Sequence, residues 1–286
     1  MNQKKCEYIN IESWFEPLDL LKKEDFMCEM SYDDLGFLCG LLKKNKPKKI
    51  VEVGVAEGGT TGIIVNALNM LNYESTMFSV DITETFYANS SLVTGYEFSK
   101  LSKHFGSLCK HQFLFGKTLA GQIENIGGDI DFAILDTTHA VPGELLDLLA
   151  ILPYMSKNGI IILHDVELSR IRAIDSNNPW HHNAPYAIAT KIALLSVHSS
   201  EKYLNTSFIG INDTPLCNIA GFKVTDETLD NPYNLFYALT LPWSYHLNDN
   251  IVNEYRIIFR KNYDFTCNKC FESAIKYSLA FNEVWD

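Results

Sequence analysis

The sequence predicts a doubly wound α/β domain built on a mostly parallel sheet. Short apolar runs alternate with helical patterns through the middle of the chain. The runs are apolar along their whole length, as strands covered on both faces are. The first of them breaks into a glycine-rich turn that opens a helix, "IVEVGVAEGGTT" at 50–61.

Taken in order, residues 1–46 read as an N-terminal helical extension, with Ser31 capping the helix of "SYDDLGFLCGLL". "KKNKPKK" (43–49) reads as a solvated helix end and turn. Strands are expected over 49–54, 76–81, 111–115, 130–136 and 159–165, and helices over 60–71, 92–106, 117–125 and 142–156. Past residue 165 the rhythm loosens. "SRIRAIDSNNPWHHNAPY" is polar and turn-rich, and 186–197 reads as a helix. "TSFIGI" (206–211) and "IAGFKV" (219–224) read as an antiparallel pair of strands. The expected organisation is a core over 47–225 with a helical, aromatic-rich C-terminal extension over 226–286, an appendage or a homo-oligomer surface.

Composition bounds the function. The chain has 286 residues, 47% of them hydrophobic, enough for a large core. A net charge of −11 disfavours a nucleic-acid partner. Neither an apolar signal core nor a run of about 20 apolar residues occurs, so a soluble, cytoplasmic protein away from the membrane is expected. Seven scattered cysteines fit a reducing compartment. Cys267 and Cys270 form a lone C-x-x-C, which on a helix simply sets two small side chains one turn apart.

Glu52 lies inside an otherwise apolar strand, two residues before a glycine. Glutamate is rarely buried without a partner. Gly54, Gly58 and Gly59 permit the tight turn and a close ligand approach, with Glu57 and Thr60 between and after them in the loop. A dinucleotide-binding turn needs G-x-G-x-x-G, and Ala56 replaces its second glycine. S-adenosylmethionine (SAM) carries no phosphate but does carry an ammonium, which an acid at Glu52 suits. The plainer reading is that Glu52 caps backbone donors of the loop. Asp81, ending the second strand, is placed for ribose hydroxyls in either cofactor class. Gly116, Lys117 and Thr118 follow the third strand and would approach the base.

Asp136 ends the fourth strand and His139 follows it; His164 and Asp165 end the fifth. These side chains could converge on one cavity and suit Mg²⁺, Mn²⁺ or a similar divalent ion. A cation there would acidify a substrate hydroxyl, with a nearby base to take its proton. The plainer reading has Asp136 and Asp165 capping the next helices and His139 satisfied within its loop. Trp180 could stack on a sugar or other ring, or merely anchor its loop; His181 and His182 are spare candidates.

"VEVGVAEGGTT", "SVD", "AILDTTH" and "GIIILHD", in this order and spacing, resemble the class I SAM-dependent methyltransferases. The likeness is to the branch called methyltransferase family 24, related to macrolide-sugar and catechol-type O-methyltransferases, and spans roughly residues 31–225. It implies a Rossmann-like, seven-stranded sheet and methyl transfer to a hydroxyl of a small polar acceptor, a sugar or nucleotide-sugar. It also implies Asp136 and Asp165 as metal ligands, and His139 as the base. Val166 departs from the pattern, where a third ligand is usual; either His164 or His139 substitutes, or the metal is weakly held, or acid–base chemistry proceeds without a metal. A nicotinamide-dependent oxidoreductase, a metal-dependent hydroxylase using His139, His164 and Asp165, and a SAM-binding protein without catalysis are the alternatives.

Overall fold

The computed structural model describes residues 6–174, 176–177, 179–205 and 218–282. The elements run β1 (Glu7–Asn10), α1 (Tyr32–Asn45), β2 (Lys49–Val53), α2 (Gly59–Met70), β3 (Ser75–Asp81), α3 (Tyr96–Leu101) and β4 (Cys109–Phe115). Next come α4 (Leu119–Ile126), β5 (Ile130–Leu135), α5 (Gly143–Ile151), β6 (Met155–His164), α6 (Leu168–Ile174) and α7 (Ala189–Ser196). The chain continues with β7 (Glu201–Leu204), β8 (Ile219–Lys223), α8 (Asp226–Asp230), α9 (Tyr233–Ala238), α10 (Asp249–Asn262) and α11 (Phe265–Asn282).

All eight strands form one sheet, in the order β1-β7-β8-β6-β5-β2-β3-β4. Strands β2 to β6 pair parallel, and β8 runs antiparallel to both β6 and β7. The chain therefore winds outward from β2 to β4, returns to the other side of β2, and continues through β5 and β6. That reversal is the point where open α/β sheets hold ligands, outside the carboxyl ends of the strands. Register brings the ends together: Val53 pairs with Leu135, and Leu135 with Leu163. Gly54, Asp136 and His164 consequently follow side by side. Gly54 has φ +93°, and a Cβ there would lie 1.9 Å from the Asp136 carbonyl oxygen. Only glycine fits so close a strand crossing.

Each sheet face carries its own core. On one, Leu38, Leu41, Ile63 and Leu68 of α1 and α2 pack against Ile50, Phe132 and Ile162. On the other, α4, α5 and α7 join the C-terminal helices, whose Phe236, Phe259 and Phe271 are fully buried against the sheet layer. The C-terminal segment thus shares the core of the sheet. Helix α1 starts where expected, with Ser31 Oγ accepting from the Asp34 amide at 3.2 Å. Its last turn carries Lys43 and Lys44, as the helix dipole favours.

Two expectations are corrected. The sheet has eight strands rather than seven. The added strand, β1, lies in the segment read as helical; "EYIN" is short, polar and at the sheet edge, and carries no periodicity to read. Strand β7 at Glu201–Leu204 is antiparallel to β8; residues 206–211, read as a strand beside 219–224, lie outside the described residues. Among the described residues no helix is long and apolar enough to cross a membrane.

Candidate active site

A cavity of about 960 Å³ opens along the carboxyl ends of the strands. One end is formed by the loop between β2 and α2. Glu52 is 1% exposed, and Thr61 Oγ1 donates to its Oε2 at 2.7 Å. The Ser79 hydroxyl, its register partner on β3, reaches it too. Burial pushes the Glu52 carboxyl up to about 8, against those two hydrogen bonds. The loop's backbone donors are held by Asp81, whose Oδ2 accepts from the Val55 amide at 3.0 Å. Asp81 Oδ1 accepts from the Thr83 amide at 2.9 Å. The capping role weighed for Glu52 thus falls to Asp81, while Glu52, held by Thr61 and Ser79, lines the cavity. Glu57 Oε1 accepts from the Glu29 amide at 2.9 Å. Its Oε2 is buried without a partner, and burial raises this carboxyl to about 7.

At the ends of β5 and β6 four predicted side chains meet. His139 Nε2 lies 3.1 Å from Asp165 Oδ2 and 4.0 Å from Asp136 Oδ1. Its Nδ1 lies 2.7 Å from Glu144 Oε1. Glu144 thereby fixes the ring and leaves Nε2 facing the two aspartates. Burial would lower the His139 pKa, but Glu144, Asp165 and Asp136 outweigh it and raise it to about 9. His164 is buried, with Nδ1 3.1 Å from Asp136 Oδ1 and Nε2 3.6 Å from Asp34 Oδ2. Neither approach is aligned as a hydrogen bond. Burial opposes its charge, yet Asp136 and Asp165 hold its pKa well above the ordinary value. Asp165 adopts φ +59°, and its Oδ1 accepts from Asn218 Nδ2 at 2.8 Å.

Donor atoms of Asp136, His139 and Asp165 all lie within 4.8 Å of one another. Two carboxylates and an imidazole fit a hard or borderline divalent ion. His139 is the third member of this group, and Val166, which follows Asp165, is buried in the apolar core at 4% exposure and offers no donor. His164 instead sits behind Asp136, facing Asp34.

Residues 51–166 match a family model described as a methyltransferase domain, of family 24. The chain carries a methyltransferase domain. The comparison with curated proteins finds no match. Among solved structures, a methyltransferase from Podospora anserina bound to S-adenosylhomocysteine (SAH) is 17% identical. The match covers 69% of this chain and 80% of that one at a TM-score of 0.43. An O-methyltransferase from Streptomyces achromogenes in complex with SAM is 13% identical, covering 73% and 88% at 0.48. One from Bacillus cereus in complex with SAH is 16% identical, covering 73% and 89% at 0.45.

Of the loop residues singled out in the sequence, Glu52, Gly54, Glu57, Thr60, Asp81 and Thr118 line the cavity of the methyltransferase domain. Gly58, Gly59 and Gly116 do not. A Cβ on Gly58 would approach Gly95, and one on Gly59 the Met27 carbonyl oxygen at 2.2 Å. Those two glycines serve chain packing. Gly116, at φ +82°, serves its turn. Ala56, where a dinucleotide site has glycine, is itself left-handed at φ +48°. Trp180 lines the cavity and is 55% exposed; His181 and His182 are exposed and off its wall.

Around the cavity lie buried acids that the sequence reading passed over. Asp34 comes from α1 and Glu144 from the first turn of α5, positions where an acid reads as complementing the helix dipole. Asp147, also on α5, is buried and accepts from Thr137 Oγ1 at 2.9 Å and Tyr255 OH at 2.8 Å. A signal was present. "GELLDLLAI" is buried along its whole length, and acids inside an apolar helix deserve the suspicion given to Glu52 in an apolar strand.

Proposed function

We propose that this chain is a SAM-dependent O-methyltransferase acting on a hydroxyl of a small, polar, sugar-like acceptor, with a divalent ion in support. One observation carries the reading. A single cavity joins the acid-lined glycine loop to the Asp136–His139–Asp165 cluster. The buried, unpartnered Oε2 of Glu57 and the carboxyl of Glu52 suit a ligand with an ammonium group. The absence of a G-x-G at 54–56 and the left-handed Ala56 speak against a dinucleotide.

Bound SAM would supply an electrophilic methyl on sulfur, and Glu52, Glu57 and Asp81 would hold its amino-acid and ribose ends. Asp136 and Asp165 would hold the cation, which lowers the pKa of a hydroxyl and offsets the negative charge that keeps His139 protonated. His139 Nε2 then accepts the hydroxyl proton, with Glu144 stabilising the imidazolium through Nδ1. Asp34 and His164 keep Asp136 in place from behind. No residue of the chain need become covalently attached. The cluster offers one imidazole with two carboxylates, which differs from the two-histidine, one-carboxylate set of an iron hydroxylase.

The test is calorimetric titration with SAM, SAH and NAD(H), each with and without Mg²⁺. Micromolar binding of SAM and SAH alone is the expected result. Binding of NAD(H) alone, or of none, would overturn the proposal. Turnover abolished by chelation and restored by Mg²⁺ or Mn²⁺ supports the metal; turnover indifferent to chelation removes it.

A further inference from the structure

The acceptor end of the cavity carries a cation that this chemistry leaves unused. Arg172 stands on α6, directly after the strand that ends in His164. It lines the main cavity together with Trp180 and Asn183. It also lines an adjoining cavity of about 450 Å³ with His139, Asn183, Tyr186 and Tyr245. Arg172 and His139 thus stand on the partition between the two spaces. The guanidinium carbon lies 5.9 Å from the centre of the Trp180 ring. That contact satisfies none of its N–H donors. Among the described residues no carboxylate pairs with it, although Glu29, Asp34, Asp136 and Asp165 all line the same cavity.

We propose that Arg172 anchors an anionic oxyacid group, carboxylate or phosphate, on the acceptor, and that the acceptor extends beyond its reacting hydroxyl into the adjoining cavity. The inference rests on the methyltransferase reading for the word acceptor; the anion site itself rests on Arg172. An anion approaching a chain of net charge −11 through an acid-lined mouth is repelled unless a fixed cation receives it. The planar guanidinium fork is the side chain best matched to carboxylate and phosphate oxygens. Trp180 and Tyr186 are exposed rings on the same rim, and with the Asn183 amide they suit a hydroxylated ring. Lys117, the other permanent cation on the main wall, lies beside Thr118 at the loop after β4. It is Arg172 that shares the adjoining cavity with His139.

The experiment labels arginines of the SAH-loaded protein with phenylglyoxal and follows Arg172 by peptide mass spectrometry. The probes are glucose, glucuronate, glucose 6-phosphate and inorganic phosphate, each at matched ionic strength. Glucuronate or glucose 6-phosphate should slow labelling of Arg172 about threefold or more at concentrations above its dissociation constant, and glucose should not. Protection by glucuronate alone assigns a carboxylate; protection by glucose 6-phosphate and phosphate assigns a phosphate. Protection by glucose equal to that by the anions, protection by none, or an Arg172 inert to the reagent without any probe would each overturn the proposal. SAH titration of the wild-type chain and of Arg172→Gln keeps the two readings apart. Equal SAH affinity with no anion protection removes the anion site alone. Anion protection without any SAH affinity removes the methyltransferase reading alone.

Discussion

Glu52 holds its proton in the folded chain well past the pH at which the unfolded chain releases it. Its carboxyl is raised to about 8 by burial, from an ordinary value of about 4.3 for glutamate. Between those two values the folded state binds the extra proton, so unfolding releases it and stability falls as pH rises. The contribution is complete below the unfolded value and lost as pH climbs through the folded one, on the order of a few kcal/mol in all. Glu52→Gln keeps the shape of the neutral acid and should flatten the decline between pH 5 and 8, as urea unfolding at several pH values would register. An unchanged slope in the variant would show that Glu52 is ionised in the folded chain. His139 makes a different demand, because its Nε2 faces the reacting end. His139→Gln should lower turnover by about 10²- to 10⁴-fold with SAH affinity preserved. A loss of SAH affinity in parallel would mean that His139 holds the cofactor's place rather than the proton.

Among the elements, α10 is the one whose importance is least evident beforehand. It carries Tyr255, whose hydroxyl donates to Asp147 on α5 at 2.8 Å, with both groups buried. Glu254 beside it accepts from the Thr118 amide at 3.2 Å, at the start of α4. Tyr255→Phe leaves Asp147 with Thr137 as its remaining hydroxyl donor. About 1–3 kcal/mol of stability should be lost, measured by chemical denaturation; no change would mean that water replaces the lost hydroxyl. Strands β2 and β5 and the 159–164 end of β6 were legible because both of their faces are buried, so each is a largely apolar run. Edge strand β1 and its neighbour β7 were not, since "EYIN" and "EKYL" are short and half polar. In the site, Glu52, Asp136, His139, His164 and Asp165 were legible because strand ends next to a switch point converge by topology. Asp34 and Tyr255 were not, because their partners lie far along the chain and only the packing of α1 and α10 onto the sheet brings them in. Glu144 lies close to His139 in sequence but, in the first turn of α5, reads as an acid that complements the helix dipole.

Over the whole molecule, the charge distribution couples ligand binding to protons. The chain is acidic at −11, and two buried acids of the loop are raised, Glu57 to about 7 and Glu52 to about 8. At neutral pH they are neutral to a large extent, because burial penalises the carboxylate. A ligand that brings an ammonium against them reverses the balance and lowers both pKa values, so protons leave as it binds. Titration of SAH at pH 7 in phosphate and in Tris, whose ionisation enthalpies differ, should give apparent enthalpies that differ by the heat of protonating the buffer. The sign is that of proton release. Glu57→Gln should reduce the released fraction while Glu52 keeps its share, and raising the pH above 9 should abolish the effect because both acids are then already ionised. Identical enthalpies in the two buffers at pH 7 would mean that the ammonium is received elsewhere in the cavity, leaving the orphaned Oε2 of Glu57 without a ligand to explain it.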